Sequence, residues 1–179
     1  MTRAVRPGPK VRIIVCGNAD RGDDGVAPVA IAALLPTLPL PLLETLDVRE
    51  ATELRVEDLT DLPAEAGCLI VDAVAGVEPG RVVRLRLHEL EERPGFTPRS
   101  SHQLPIHLVV GLAGILRGRP VEGTFVGLGG LEFGYGTPLS AVARAAVPAF
   151  GDAIEREING LLRVPRSAPP AKPAQEALA

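Results

Sequence analysis

Apolar residues along this chain gather into short solid blocks, separated by polar and glycine-rich stretches. Val11 to Cys16 (VRIIVC) is a β-branched run closed by Gly17-Asn18, and residues 67–71 (GCLIV) form another that ends at Asp72-Ala73. Both predict buried strands with turn signals behind them. Residues 42–48 and 123–128 are further strand segments, while 81–87 (RVVRLRL) alternates basic and apolar residues and predicts a strand with one wet face. Helical stretches lie between them. Residues 25–35 predict a buried helix ended by Pro36, 51–62 a polar amphipathic one, and 103–116 a second buried one. Over 138–162, Val142, Ala146, Ala149, Ile154, Ile158 and Leu161 recur at roughly helical spacing. Pro138 and Ser140 are start signals there, and Pro148 is expected to kink the helix.

Strands alternating with helices over short connections predict an α/β fold, a three-layer sandwich around a twisted, mostly parallel sheet of about five strands. The domain is expected over 11–162, after a flexible N-terminus at 1–10 and before a disordered Pro/Ala-rich tail at 163–179. Ligands of such sheets bind at the carboxyl ends of the strands. That rule sets the loop after Cys16, the residues after Val71 and the segment before Gln103 on one rim.

Composition narrows the chemistry. With 179 residues, 46% apolar and 23% charged, the chain has the make-up of one globular domain. A net charge of −3 gives no electrostatic case for a nucleic-acid partner. Three histidines, two cysteines 52 positions apart, one tyrosine and no tryptophan argue against a zinc finger, a disulfide-rich secreted scaffold or a base-stacking platform. Neither a signal-type apolar segment nor a run of about 18 apolar residues is present, so the expectation is a cytoplasmic protein with no membrane partner. Any metal site must draw on Asp, Glu and very few histidines.

Three rim features carry candidate chemistry. Asp20, Asp23 and Asp24 crowd the loop ahead of the first helix. Either Asp23 or Asp24 caps that helix, or the loop binds a cation. An EF-hand loop starting at Asp20 fails, because its third position is Gly22 and its twelfth Ile31. A dinucleotide fingerprint fails for want of glycines. Asp72, at the end of an apolar strand, either accepts bonds from loop amides or faces a ligand. His102 is either a surface or cap residue or a ligand. His107 lies five positions further on, off the face of a helical metal pair, and reads as packing; His88 reads as exposed. Two carboxylates and an imidazole on one rim suit a borderline divalent metal such as Ni, Zn, Mn or Fe with open positions. Such a metal polarises a carbonyl or activates water. No Gly-x-Ser-x-Gly elbow is present and neither cysteine has an evident base, so metal-assisted hydrolysis is the best enzymatic reading from chemistry alone.

Four segments also resemble a known family, the hydrogenase maturation endopeptidases. Val15-Cys16-Gly17-Asn18 with Gly22-Asp23-Asp24-Gly25-Val26 is similar to its opening motif. Leu69-Ile70-Val71-Asp72-Ala73-Val74 with Pro79-Gly80-Arg81-Val82 is similar to its second, and Ser101-His102-Gln103-Leu104 to its Ser-x-His segment. Gly134, Gly136, Leu139 and Ser140 match its closing signature, and the resemblance spans about 11–162. It implies removal of a short C-terminal extension from a [NiFe]-hydrogenase large-subunit precursor after nickel insertion. Matched motif by motif, the family's catalytic and metal-contacting set falls on Asp24, Asp72 and His102. These three are expected to meet at a common point within metal-ligand reach. The nickel is expected to arrive in the precursor, other divalent metals being able to occupy the same site. Asn18, Asp23, Asp47 and Arg49 are the implied substrate contacts, and a monomer is expected. Two departures stand out: Asp20 replaces a usual apolar residue, and Asp47 to Thr52 lacks the family's Asp-Gly turn. A non-catalytic module that binds metal or precursor as an assembly chaperone is the competing reading.

Overall fold

A computed structural model describes residues 10–90 and 105–164. His102, the first residues of the helix expected from 103, and all but the start of the expected tail lie outside the described residues. Five strands form one sheet in the order β2-β1-β3-β5-β4. They are β1 (Val11–Cys16), β2 (Leu46–Ala51), β3 (Gly67–Val74), β4 (Val82–Arg86) and β5 (Gly123–Gly129). The first three and β5 run parallel, and β4 is an antiparallel edge. β1 and β3, in the middle, are buried on both faces and apolar but for Arg12 and Asp72, as a covered parallel sheet requires.

Helices cover both faces. α1 (Val26–Leu34) and α5 (Ala141–Arg163) pack with Ile13, Val15, Leu69, Val71 and Val126. On the other face, α3 (Val56–Thr60) and α4 (Ile106–Arg117) cover Ile14, Cys16, Cys68, Ile70 and Phe125. The odd–even split of β1 and β3 between the two cores is the two-residue period of a strand. The three-layer α/β expectation and the mostly parallel sheet hold. Among the described residues no helix is long and apolar enough to cross a membrane.

Several boundaries move. Residues 42 and 43 are helical rather than extended, because the turn α2 (Leu40–Leu43) follows Pro39 with Pro41 in its first turn; β2 starts at Leu46. Ala51 ends β2 instead of opening a helix, and α3 begins only at Val56, where the Asp58 carboxylate accepts the Arg55 N–H at 2.8 Å. The buried face of α5 turns by one residue in its first half. Ala143 and Phe150 are buried there, whereas Val142 and Ala149 are exposed. The helix runs continuously through Pro148. α4 buries Ile106, Val109, Val110 and Ala113 but leaves Leu108, Leu112, Ile115 and Leu116 exposed, so among the described residues it is covered on one side only.

Most consequential for the site, β3 continues past Val71 to Val74, so Asp72 lies within the strand. β1 stops pairing with β3 at the Val15–Val71 level, while β5 stays paired through Val74. From β1 the chain leaves through α1 on one face; from β3 it reaches β5 through α4 on the other. The crevice between the carboxyl ends of β1 and β3 is thus the topological switch point, where parallel sheets bind ligands.

Candidate active site

Alternation along β3 sets the Asp72 side chain on the face of Ile70 and Val74, beside the end of β1 and toward the α3–α4 layer. Its own carboxylate accepts the Ala73 N–H at 2.8 Å. Burial, and then the negative charge of Asp24, push its pKa up to about 8 against that one hydrogen bond. Asp72 is therefore mostly a neutral acid at pH 7. Cys16 ends β1 beside this level, and its thiol is pushed well above the ordinary range, by burial first and then by the charge of Asp72. It is a neutral packing group, as expected; both cysteines are buried and neither is in a disulfide.

Asp24 approaches from the loop that follows β1. A short 3-10 turn, Gly22–Gly25, precedes α1, and both its aspartates are buried. Neither caps a helix. Asp24, 8% exposed, turns back and accepts the Asn18 N–H at 3.0 Å. Burial raises its pKa, partly offset by that bond and by the positive charge of Arg21. Asn18 braces the same loop, its side-chain oxygen accepting the Asp20 N–H at 2.9 Å, while Asp20 itself is exposed.

Asp23 does something different. It has no exposed surface, and its carboxylate accepts four hydrogen bonds: from the N–H groups of Leu131, Glu132 and Ser140 and from the Ser140 hydroxyl, at 2.7–3.1 Å. Burial alone would raise its pKa, but these donors outweigh it and hold the carboxyl below its ordinary value. This side chain staples the loop before α5 to the loop before α1. All four donors belong to this chain, so the structure shows Asp23, expected as a substrate contact, serving as a structural pin.

Asp47 and Arg49 also lie elsewhere than expected. Arg12, 4% exposed, donates from Nε to Asp47 at 2.8 Å and from Nη1 to Asp61 and the Asp58 carbonyl. Arg49 joins both carboxylates, at 3.3 Å to Asp47 and 3.2 Å to Asp61. Asp47 pairs in register with Arg12, four residues before Cys16 and so about 13 Å from the rim at strand rise. These groups form an ion network that holds β2 and α3 against β1. Arg12 was legible only as a polar interruption of an apolar strand, and its partners are 35 and 49 positions away.

The structure thus brings Asp24 and Asp72 within electrostatic range at the switch point, with Asn18 beside them. His102 lies outside the described residues, four positions before the first residue of α4 on the Asp72 face. His88 is exposed and His107 half-buried. Among the described residues no group of three or more His, Cys, Asp or Glu side chains is placed to hold a metal ion.

A family model described as hydrogenase maturation protease matches residues 50–157. The chain belongs to that family. The protease is an endopeptidase by this membership, and the matched span includes Asp72 and His102 but begins after Asp24. Solved structures share its fold. The [NiFe] hydrogenase maturation protease HybD from Thermococcus kodakarensis is 24% identical, with a TM-score of 0.64 over 82% of this chain and 97% of that one. The hydrogenase maturating endopeptidase HybD from E. coli is 20% identical, with a TM-score of 0.69 over 84% and 93%. The endopeptidase HycI from Escherichia coli is 20% identical, with a TM-score of 0.61 over 82% and 90%. No curated protein sequence matches significantly.

In this protease the approach of the Asp24 loop to the end of β1 depends on Gly17. Its φ is +130°, and a Cβ there would stand 2.0 Å from the Asp24 carbonyl oxygen. Gly17→Ala is expected to cost about 1–3 kcal/mol from the backbone conformation alone, with the clash in addition. Urea unfolding should show the loss, and any soluble variant should be impaired in cleavage because Asp24 is displaced.

Proposed function

We propose that the protein removes the C-terminal extension of a [NiFe]-hydrogenase large-subunit precursor, and that Asp24 and Asp72 contact nickel carried by that precursor. The observation behind this reading is the pairing of two carboxylates at the switch-point crevice, both with raised pKa values. Burial and mutual repulsion disfavour ionising both, and a divalent cation between them removes that cost. An oxygen-rich donor pair also suits a borderline divalent ion. Two carboxylates alone are a poor set for a resident metal. The remaining ligands come from the precursor and from His102, which the family motif supplies. Nickel is then cargo of the substrate, and the crevice distinguishes loaded from unloaded precursor.

Hydrolysis needs water oxygen to attack the scissile carbonyl carbon, and a base to take the water proton. A carboxylate of the pair takes that proton and passes it to the departing amine as the C–N bond breaks. Asp72 holds a proton at neutral pH and gives it up only when positive charge arrives, which links proton release to loading.

Two measurements test this reading. The purified protein is incubated with nickel-loaded and with unloaded precursor, and the products are weighed by mass spectrometry. Loss of the extension from the loaded form alone is expected; a loaded precursor that stays full length refutes the proposal, and equal cutting of both forms refutes the sensing role. Calorimetry of loaded precursor binding at pH 7, in two buffers of different ionisation enthalpy, is expected to show release of about one proton. The release should vanish above about pH 9, where Asp72 is already ionised.

A further inference from the structure

We infer that Arg21 and Tyr135 form a carboxylate-binding subsite beside the Asp24–Asp72 crevice, and that it receives an acidic group of the precursor's C-terminal extension. The inference rests on the proposed reaction for the identity of the peptide, and on the geometry for the chemistry it recognises.

Arg21 opens the 3-10 turn that carries Asp23 and Asp24. Its guanidinium carbon lies 4.9 Å from the centre of the Tyr135 ring. Its Nε is buried with no hydrogen-bond partner, and among the described residues the guanidinium makes no hydrogen bond or ion pair. The contrast with Arg12 is informative. The guanidinium of Arg12, more deeply enclosed than the half-buried Arg21, is met by two carboxylates and a carbonyl of this chain. A guanidinium is a rigid fork of five donors, and enclosing part of it without an acceptor costs free energy that a ligand oxygen recovers. Stacking on an aromatic face fixes the plane of the fork in advance, which favours a planar bidentate carboxylate over a single carbonyl.

The ledge around it is held in place before any ligand arrives. Asp23 anchors Leu131, Glu132 and Ser140; the Asp23 N–H returns a bond to the Glu132 carbonyl at 2.7 Å. The Gly22 N–H donates to the Thr137 carbonyl at 3.0 Å, and the Gly136 N–H to the Asp20 carbonyl at 2.7 Å. Yet on this fixed loop Tyr135 is 75% exposed and Leu131 62% exposed. An aromatic and an aliphatic side chain face solvent around a cation that lacks an acceptor. That combination fits a peptide with one acidic group among apolar neighbours. The subsite adjoins the crevice because Arg21 directly precedes the short turn, Gly22–Gly25, that carries Asp24.

Peptides copying the extension of the hydrogenase precursor from the same source are the probe. One set has all carboxylates, one has the terminal carboxylate amidated, and one has each Asp or Glu replaced by its amide. Wild-type protein is expected to bind the first at least about tenfold more tightly than one of the other two, consistent with a charge-assisted pair. Which modified peptide loses affinity tells a terminal from a side-chain carboxylate. In Arg21→Gln the preference should disappear, and in Tyr135→Leu it should shrink, with thermal melting confirming that both variants fold. Cleavage of the full precursor by Arg21→Gln should show its main loss in KM. Equal affinity for all three peptides, or a preference that survives in Arg21→Gln, overturns the subsite. Because peptide binding is read without cleavage, a protein that cuts no precursor overturns the proposed reaction and leaves the subsite to be decided by affinity.

Discussion

Asp72→Asn is expected to slow precursor cleavage by orders of magnitude and yet leave the protein more stable than wild type at alkaline pH. The two effects share one cause. In the folded chain the Asp72 carboxyl has a pKa of about 8, against an ordinary 3.8, so the native state holds its proton far more tightly than the unfolded state does. Wherever the native state binds more protons, stability falls as pH rises. For Asp72 that window runs from about pH 4, where the unfolded carboxyl ionises, to about pH 8, where the folded one does. An amide at this position cannot ionise and removes the slope. Denaturant midpoints from pH 5 to pH 9 should therefore decline for wild type and stay flatter for Asp72→Asn. The same amide can neither contact a cation as an anion nor accept a proton from water. Loss of such a group costs about 10²- to 10⁴-fold in rate, measured as initial cleavage of loaded precursor. A variant that cleaves normally removes Asp72 from the chemistry, and one that is destabilised at pH 9 contradicts the raised pKa.

Asp23→Ala, one position from Asp24, is expected to act in the opposite way. Its buried carboxylate serves four donors, and truncation leaves the Leu131, Glu132 and Ser140 N–H groups without that acceptor. Leaving such donors unsatisfied costs about 1–3 kcal/mol, and urea unfolding should show that loss at neutral pH. The sign of its pH dependence is also reversed. Asp23 has a lowered folded pKa, so its contribution is complete above the ordinary carboxylate range and is lost as pH falls through the folded value. Wild type should lose this stability in acid, while Asp23→Ala shows a weaker acid dependence. Two adjacent aspartates of one motif thus divide the work. Asp23 stabilises the fold, and Asp24 is held at some cost at the switch point, where the proposed function needs it.

Much of this protein is legible along the chain. Solid β-branched blocks at Val11–Cys16 and from Gly67 identify central strands, because only strands covered on both faces lack a polar alternation. The alternation of helix and strand periods fixes the layered fold, and the spacing of the Asp24, Asp72 and His102 motifs carries the family. Less follows about where each side chain points. Local patterning ended the central strand at Val71, but continued pairing with β5 extends it to Val74 and turns Asp72 into an in-strand residue facing the α3–α4 layer. Asp23 and Asp24 look alike in sequence. What separates them is a set of donors 108 to 117 positions away for one and a loop amide 6 positions away for the other. Asp47 and Arg49 are drawn into a network through Arg12 and Asp61 for the same reason. The order and type of elements follow from local periodicity, which the sequence records directly. The choice between a carboxylate that staples the fold and one left for a ligand depends on which distant donors the folded chain brings to it, and only the tertiary structure decides that.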